Sequence, residues 1–161
     1  MSLDPKEFRF ALGNFPTGVT IITSVTEGGE LLGATANSFS SVSLNPPLVL
    51  FSLDRAAYSL DAYMKAGVFA VNVLSLDQQS LSNRFAKALD SKWDGITYET
   101  WETGAPILPG TVASFDCSVW NTYDGGDHVI FVGKVLQMSR DADAEPLIFF
   151  RGQYDTLGPK R

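Results

Sequence analysis

Cysteine and histidine each occur once in the 161 residues, as Cys117 and His128. One thiol forms no internal disulfide, and a Cys/His zinc site has too few donors to be built from this chain, so no metal centre is expected. A Ser/His/Asp triad would have His128 as its only base. Cations are few: 12 Lys and Arg stand against 18 Asp and Glu for a net charge of -6, without a Lys/Arg cluster. That excludes a nucleic-acid partner, because phosphate backbones are held by clustered cations. The longest apolar stretches, such as Leu48 to Phe51 and Pro146 to Phe150, fall far short of the roughly 18 residues that span a bilayer, so no membrane partner is expected either. The opening "MSLDPKEFRF" lacks the apolar segment of a signal peptide, which with the lone cysteine makes a cytoplasmic location the expectation. There is no G-x-G-x-x-G, G-x-x-x-x-G-K-[ST], H-E-x-x-H, C-x-x-C or G-x-S-x-G. Rossmann dinucleotide binding, P-loop chemistry and the common hydrolases all lose support.

What is present describes one domain over residues 1–161, with 45% hydrophobic and 19% charged residues, enough for a core without staples. Asp4, Pro5 and Glu7 mark a helix start, with Phe8, Ala11, Leu12 and Phe15 on one face. "GVTIITSV" and "LLGATANSF" flank a turn at "TEGGE", predicting an antiparallel pair. "LVLFSL" is apolar throughout and reads as a buried central strand. A short helix closed by Gly67, the strand Val68 to Leu74, and a second helix begun by Ser75 and Gln78 follow. Lys87 to Pro109 reads as loop with at most one short strand, "DGGD" as a second hairpin turn, and "PLIFFRGQY" as the last strand. Long strands joined by hairpins, with helices inserted singly, predict a mainly β fold with inserted helices, closed as an antiparallel barrel.

One stretch is unusual. "GATANSFSSVSLNPPLVLFSL" gathers Thr35, Asn37, Ser38, Ser40, Ser41 and Ser43, followed one strand later by Ser52, Arg55 and Ser59. Such a run either satisfies its own backbone at a solvated turn or lines a polar ligand. Side chains alternate along a strand, so Thr35 and Asn37 share one face and Ala36 and Ser38 the other. A planar amphipathic ring along that row, with its phosphate at Ser52, Arg55 and Ser59, is what a flavin requires.

"FPTGVTIIT", the stretch just quoted, "FAVNVL", "NRFA", "GGDHVIFVGKV" and "PLIFFRGQY" occur in that order over nearly the whole chain, and together they resemble the short-chain NAD(P)H:flavin reductase family. The resemblance implies an FMN-binding split β-barrel, a homodimer, and hydride transfer from NADH or NADPH to FMN or FAD, with the reduced flavin passed to a partner monooxygenase. It implies that Thr35, Ala36, Asn37, Ser38, Ser40, Ser41, Val42 and Ser43 line the flavin ring. Ser52, Leu53, Arg55 and Ser59 would hold the ribityl and phosphate portion, and Arg84, Phe85 and Ala86 the distal phosphate or adenine end. His128 and Tyr154 would act at the nicotinamide or the ring; in each case a turn or packing role is the alternative. A flavin-binding electron carrier or storage protein without nicotinamide turnover is the competing function. Asp116 and Asp127 are expected as solvated hairpin charges, Cys117 as a small buried apolar residue, and Arg151 as the partner of a surface acid.

Overall fold

The computed structural model describes residues 2–159, which form three helices and twelve strands. Helix α1 (Pro5–Leu12) starts as expected: the Asp4 carboxylate accepts from the backbone N–H groups of Lys6 and Glu7, with Pro5 at the first position. A two-residue strand β1 (Thr17–Gly18) leads to the hairpin of β2 (Thr20–Val25) and β3 (Leu31–Ala36), in which Thr20 lies opposite Ala36 and Val25 opposite Leu31. Strand β4 (Ser40–Leu44) turns tightly into β5 (Pro47–Asp54). Helix α2 (Leu60–Ala66) ends at Gly67, whose φ of 69° gives the left-handed cap. Strand β6 (Val68–Val73) is followed by the Ser75/Gln78 capping box, which opens a short 3-10 turn and then α3 (Gln79–Phe85). The long loop carries a two-stranded ribbon, β7 (Glu99–Thr100) with β8 (Pro106–Ile107). The long hairpin β9 (Ala113–Gly125) and β10 (His128–Arg140) and the short strands β11 (Ile148–Phe150) and β12 (Gln153–Asp155) complete the chain.

Seven strands make one antiparallel sheet in the order β3-β2-β6-β9-β10-β5-β4. The backbone ladders do not close it into a barrel, so the architecture is mainly β with three helices and an open seam between β3 and the β4–β5 edge. Beyond Ser40 a side chain carries the β4–β5 pairing on in register. The Ser38 hydroxyl accepts from the Ser52 N–H at 2.9 Å and donates to the Ser52 carbonyl at 3.1 Å. Strand β5 is therefore not central, as its apolar sequence suggested, but next to the edge, and its outer residues are only half-buried.

The main core lies inside the curved sheet. Phe51 stacks on Phe131 at 4.9 Å between centroids and meets Phe69 edge-on at 4.8 Å, with Ile22, Tyr63, Val71 and Cys117 around them. Gly133 is required by this packing, since a Cβ there would fall 2.3 Å from the Phe69 ring. A second core of Val19, Ile21, Leu74, Phe85, Leu108 and Leu147 fixes α3 and the β11–β12 hairpin beside β3.

Three expectations are corrected. "PLIFFRGQY" is not one strand but β11 and β12, reversed at Arg151-Gly152, where φ is 51° and 74°. Asp116 is fully buried rather than solvated, and its carboxylate accepts from the Thr103 N–H at 3.0 Å and from the Thr103 hydroxyl. Among the described residues Arg151 pairs with no acid; its Nε donates to Asn14 Oδ1 at 2.9 Å.

Candidate functional site

Strand β3 ends one side of the sheet, and a trough of three adjacent compartments lies along it. The first, about 580 Å³, lies between α1, Thr17, Asn37 and the Arg151-Gly152 turn, with Phe10, Leu12, Phe15 and Phe149 as walls. The second, about 200 Å³, shares Asn37 and Phe149 with the first and adds Thr35, Ala36, Ser82, Ala86 and Tyr154. The third, about 350 Å³, shares Thr35 and Ala86 with the second and extends past Gly33 and Phe85 to Trp93, Lys92, Tyr58 and Ser59.

Local hydrogen bonds decide which polar groups face this space. The Thr35 hydroxyl is turned into α3, donating to the Ser82 carbonyl at 2.7 Å. The Tyr154 hydroxyl donates to Asn83 Oδ1 at 2.9 Å, which leaves it to accept from the Ser82 hydroxyl at 2.7 Å. Tyr154 thus ties β12 to α3 and presents its ring, edge-on to Phe149, to the second compartment. Gly33 allows α3 to come this close, because a Cβ there would lie 2.5 Å from the Phe85 ring. Asn37, just past the end of β3, is exposed and opens on both the first and the second compartment.

The loop after α3 closes the far end. The Arg84 guanidinium donates to the carbonyls of Lys92 at 2.7 Å, Ser91 at 3.1 Å and Asp94. It organises the loop, and it does not line the trough. The Lys92 ammonium donates to the Gly33 carbonyl at 2.9 Å and lies over the Phe85 ring, and its partial burial lowers its pKa. Trp93 packs edge-on against Phe85.

The remaining candidates lie elsewhere. Ser38 and the Ser52 backbone are engaged with each other at the end of the β4–β5 pairing. Leu53 packs against the main core. Ser40, Ser41, Val42 and Ser43 sit on the edge strand β4, with Val42 as the bulged residue opposite no partner. Arg55 and His128 form a separate cluster at the tip of the β9–β10 hairpin. Arg55 donates to the Gly126 carbonyl at 2.8 Å and to Asp124 at 2.7 Å, and the latter hydrogen bond lowers the Asp124 pKa. His128 Nδ1 is 2.7 Å from Asp127 Oδ1, and the same contact lowers the Asp127 pKa. Among the sequence candidates, Thr35, Ala36, Asn37, Ser59, Phe85, Ala86 and Tyr154 are thus brought together along the trough. His128 is not among them.

Sequence reasoning missed Thr17, Ser82, Lys92, Trp93 and Phe149. Two side-chain polar atoms are buried without a partner among the described residues: Thr17 Oγ1 and Trp93 Nε1. Their residues line the two end compartments of the trough. Both atoms are closed off from the trough itself, and it is the lining, with apolar and aromatic walls and the Asn37 amide between the first two compartments, that fits a long planar ligand with polar edges. A match to the model of the flavin reductase like domain covers residues 12–158. The chain belongs to the flavin reductase-like family. The chain is 42% identical over 160 residues to the reductase subunit HsaB of a flavin-dependent monooxygenase of Rhodococcus jostii, covering 99% of this chain and 82% of that one. It is 44% identical over 149 residues to the FMN reductase (NADH) SmoA of Agrobacterium fabrum, covering 92% and 84%. Among solved structures, the NADH:FAD oxidoreductase SgcE6 of Streptomyces globisporus, in complex with NAD and FAD fragments, superposes with a TM-score of 0.91 at 37% identity, covering 99% and 98% of the two chains.

Proposed function

We propose that this single-domain protein is an NADH-dependent flavin reductase that passes reduced FMN or FAD to a flavin-dependent monooxygenase. The observation that carries the reading is the β3 trough, with apolar and aromatic walls and the Asn37 amide where its first two compartments meet, in a chain 44% identical to an FMN reductase (NADH). A bound flavin supplies a ring that accepts hydride at one nitrogen and carries the resulting negative charge along one edge.

The chain's own residues do the positioning. Asn37 is the polar group at the junction of the first two compartments and is assigned to the ring edge. Ala36, Phe149 and the Tyr154 ring supply the apolar faces against which two planar rings stack, which is where orientation lowers the barrier. Ser59, Phe85, Ala86 and Trp93 are assigned to the phosphate end and beyond. Hydride transfer needs no general base, which accords with a second compartment lined by apolar, aromatic, amide and hydroxyl groups.

The active form is proposed to be a homodimer with the sheet curled into a split barrel. Helix α1 supports this: it buries no residue, and Phe8, Phe10, Leu12 and Phe15 are 52–77% exposed, as are Leu44 (96%) and Met138 (52%) on the strands. Among the described residues no helix is long and apolar enough to cross a membrane. Mixing catalytic protein with NADH and excess FMN or FAD under anaerobic conditions tests the function. Repeated bleaching of the flavin absorbance is expected, whereas tight flavin binding without turnover would make the protein a carrier instead.

A further inference from the structure

We infer that residues 87–94 form a lid over the third compartment of the trough and that Arg84 is its latch, a positioning residue that sets how fast flavin enters and leaves without touching it; this rests on the reductase reading above. The segment leaves α3 at Ala86 and is followed by Gly95, whose φ of 70° turns the chain toward Ile96, which packs against the second core. Between these ends it joins no strand. Its backbone hydrogen bonds are those of local turns: Leu89 N–H to the Lys87 carbonyl, Asp94 N–H to the Ser91 carbonyl and, across Gly95, Ile96 N–H to the Trp93 carbonyl. The segment is therefore free to swing without breaking a ladder.

Two cations and one indole hold it down. Arg84 donates to the carbonyls of Lys92 at 2.7 Å, Ser91 at 3.1 Å and Asp94, and the Lys92 ammonium donates to the Gly33 carbonyl at 2.9 Å. Among the described residues, these four are the only hydrogen bonds that tie residues 88–94 to other elements. The Trp93 ring sits edge-on to Phe85 at 4.9 Å, over Gly33, and its Nε1 is buried without a partner among the described residues. Opening gives that donor to water, which lowers the cost of lifting the indole. There is space on both faces of the segment. Lys87, Leu89 and Lys92 line the third compartment on the inside and, with Arg84 and Ser91, a cavity of about 450 Å³ on the outside. Across the third compartment stand residues 31–35 of β3 with Tyr58 and Ser59, so lifting the segment uncovers the compartment from one side. Arg84 itself lines only the outer cavity, and its influence on a ligand in the trough has to pass through the carbonyls it holds.

Arg84→Met removes three of the four donations and keeps the aliphatic stem, and Lys92→Met removes the fourth. FMN binding to each protein is followed by stopped-flow quenching of the flavin fluorescence. A gate slows entry and exit alike, so the association and dissociation rate constants should rise together, about tenfold in Arg84→Met, with the Kd within about twofold of the wild type. Arg84→Lys, which keeps the charge but not the fork, should return part of the way. In flavin-free protein the Trp93 indole N–H should exchange with solvent about tenfold faster in Arg84→Met, while the Leu108 N–H, which donates to Asn72 in the interior, exchanges as in the wild type. If Leu108 is exposed as well, the rate constants of Lys92→Met decide. A Kd weakened about tenfold at an unchanged association rate would make Arg84 a direct flavin contact and overturn the latch. Unchanged rate constants with unchanged indole exchange would overturn it too, by making the segment a fixed wall. Failure of the wild type to bind FMN would instead strike the reductase reading, and the indole exchange of the flavin-free proteins would still decide the lid.

Discussion

Replacing Ser38 by alanine should destabilise the protein while leaving the rest of the polar stretch inert. The Ser38 hydroxyl satisfies both the donor and the acceptor of Ser52, at 2.9 and 3.1 Å, just past the last backbone pair of β4 and β5. Both residues are half-buried, so water replaces the lost partner only in part. Losing two such bonds costs about 1–2 kcal/mol. For a domain of this size, that corresponds to a fall in melting temperature of about 2–8 °C. Calorimetry measures the fall, and amide exchange localises it: the Ser52 N–H should lose protection selectively. Ser38→Thr, which keeps the hydroxyl, should recover most of the loss, and Ser41→Ala or Ser43→Ala on the exposed edge strand should shift the melting temperature by less than about 1 °C. A Ser38→Ala protein with wild-type stability and unchanged Ser52 exchange would refute the view that this side chain holds the end of the β4–β5 pairing.

Other consequences follow from the packing. Gly33→Ala places a methyl 2.5 Å from the Phe85 ring, which Trp93 backs, and should cost about 1–3 kcal/mol in denaturant unfolding; an unchanged midpoint would mean that α3 is not held against β3. Burial, with the Asp116 carboxylate beside it, pushes the Cys117 thiol up to about 12. The folded state therefore keeps this proton where the unfolded chain has lost it, and stability should fall between about pH 8.5 and 12, by at most ~1.4 kcal/mol per pH unit. Cys117→Ala should flatten that part of the alkaline unfolding curve, and iodoacetamide should leave the folded wild type unlabelled at pH 8; rapid labelling would show the thiol to be accessible.

Local rules made much of the fold legible. The Asp4 cap, the Gly67 stop, the Ser75/Gln78 box and the β2–β3 and β9–β10 hairpins all act within a few residues of chain, where side-chain type alone selects the backbone. The β11–β12 reversal was not legible, because Arg-Gly is a poor I′ signal and is held by contacts from Gly13 and Asn14, far away in sequence. Asp116 misled for a similar reason: its partner, Thr103, arrives from the long loop. In the site, the residue types were readable but their engagements were not. Thr35, Ser38 and Arg84 looked like ligand contacts, yet each is engaged elsewhere, with Ser82, with Ser52 and with the 91–94 carbonyls, and those pairings depend on tertiary placement. Thr17 and Trp93 gave no sign in composition, since only burial without a partner distinguishes them.

The account stands on the flavin lying along β3 with Asn37 at its ring. Anaerobic reduction of FMN and FAD by NADH, followed at the flavin absorbance for the wild type and Asn37→Leu, tests this most directly. The wild type should bleach many equivalents of flavin per protein, and Asn37→Leu should raise the KM for flavin about tenfold, the size of one lost hydrogen bond to a charged edge, with its melting temperature unchanged. An Asn37→Leu protein with wild-type flavin KM would contradict the placement, and a wild type that bleaches no more than one equivalent would contradict the reductase itself.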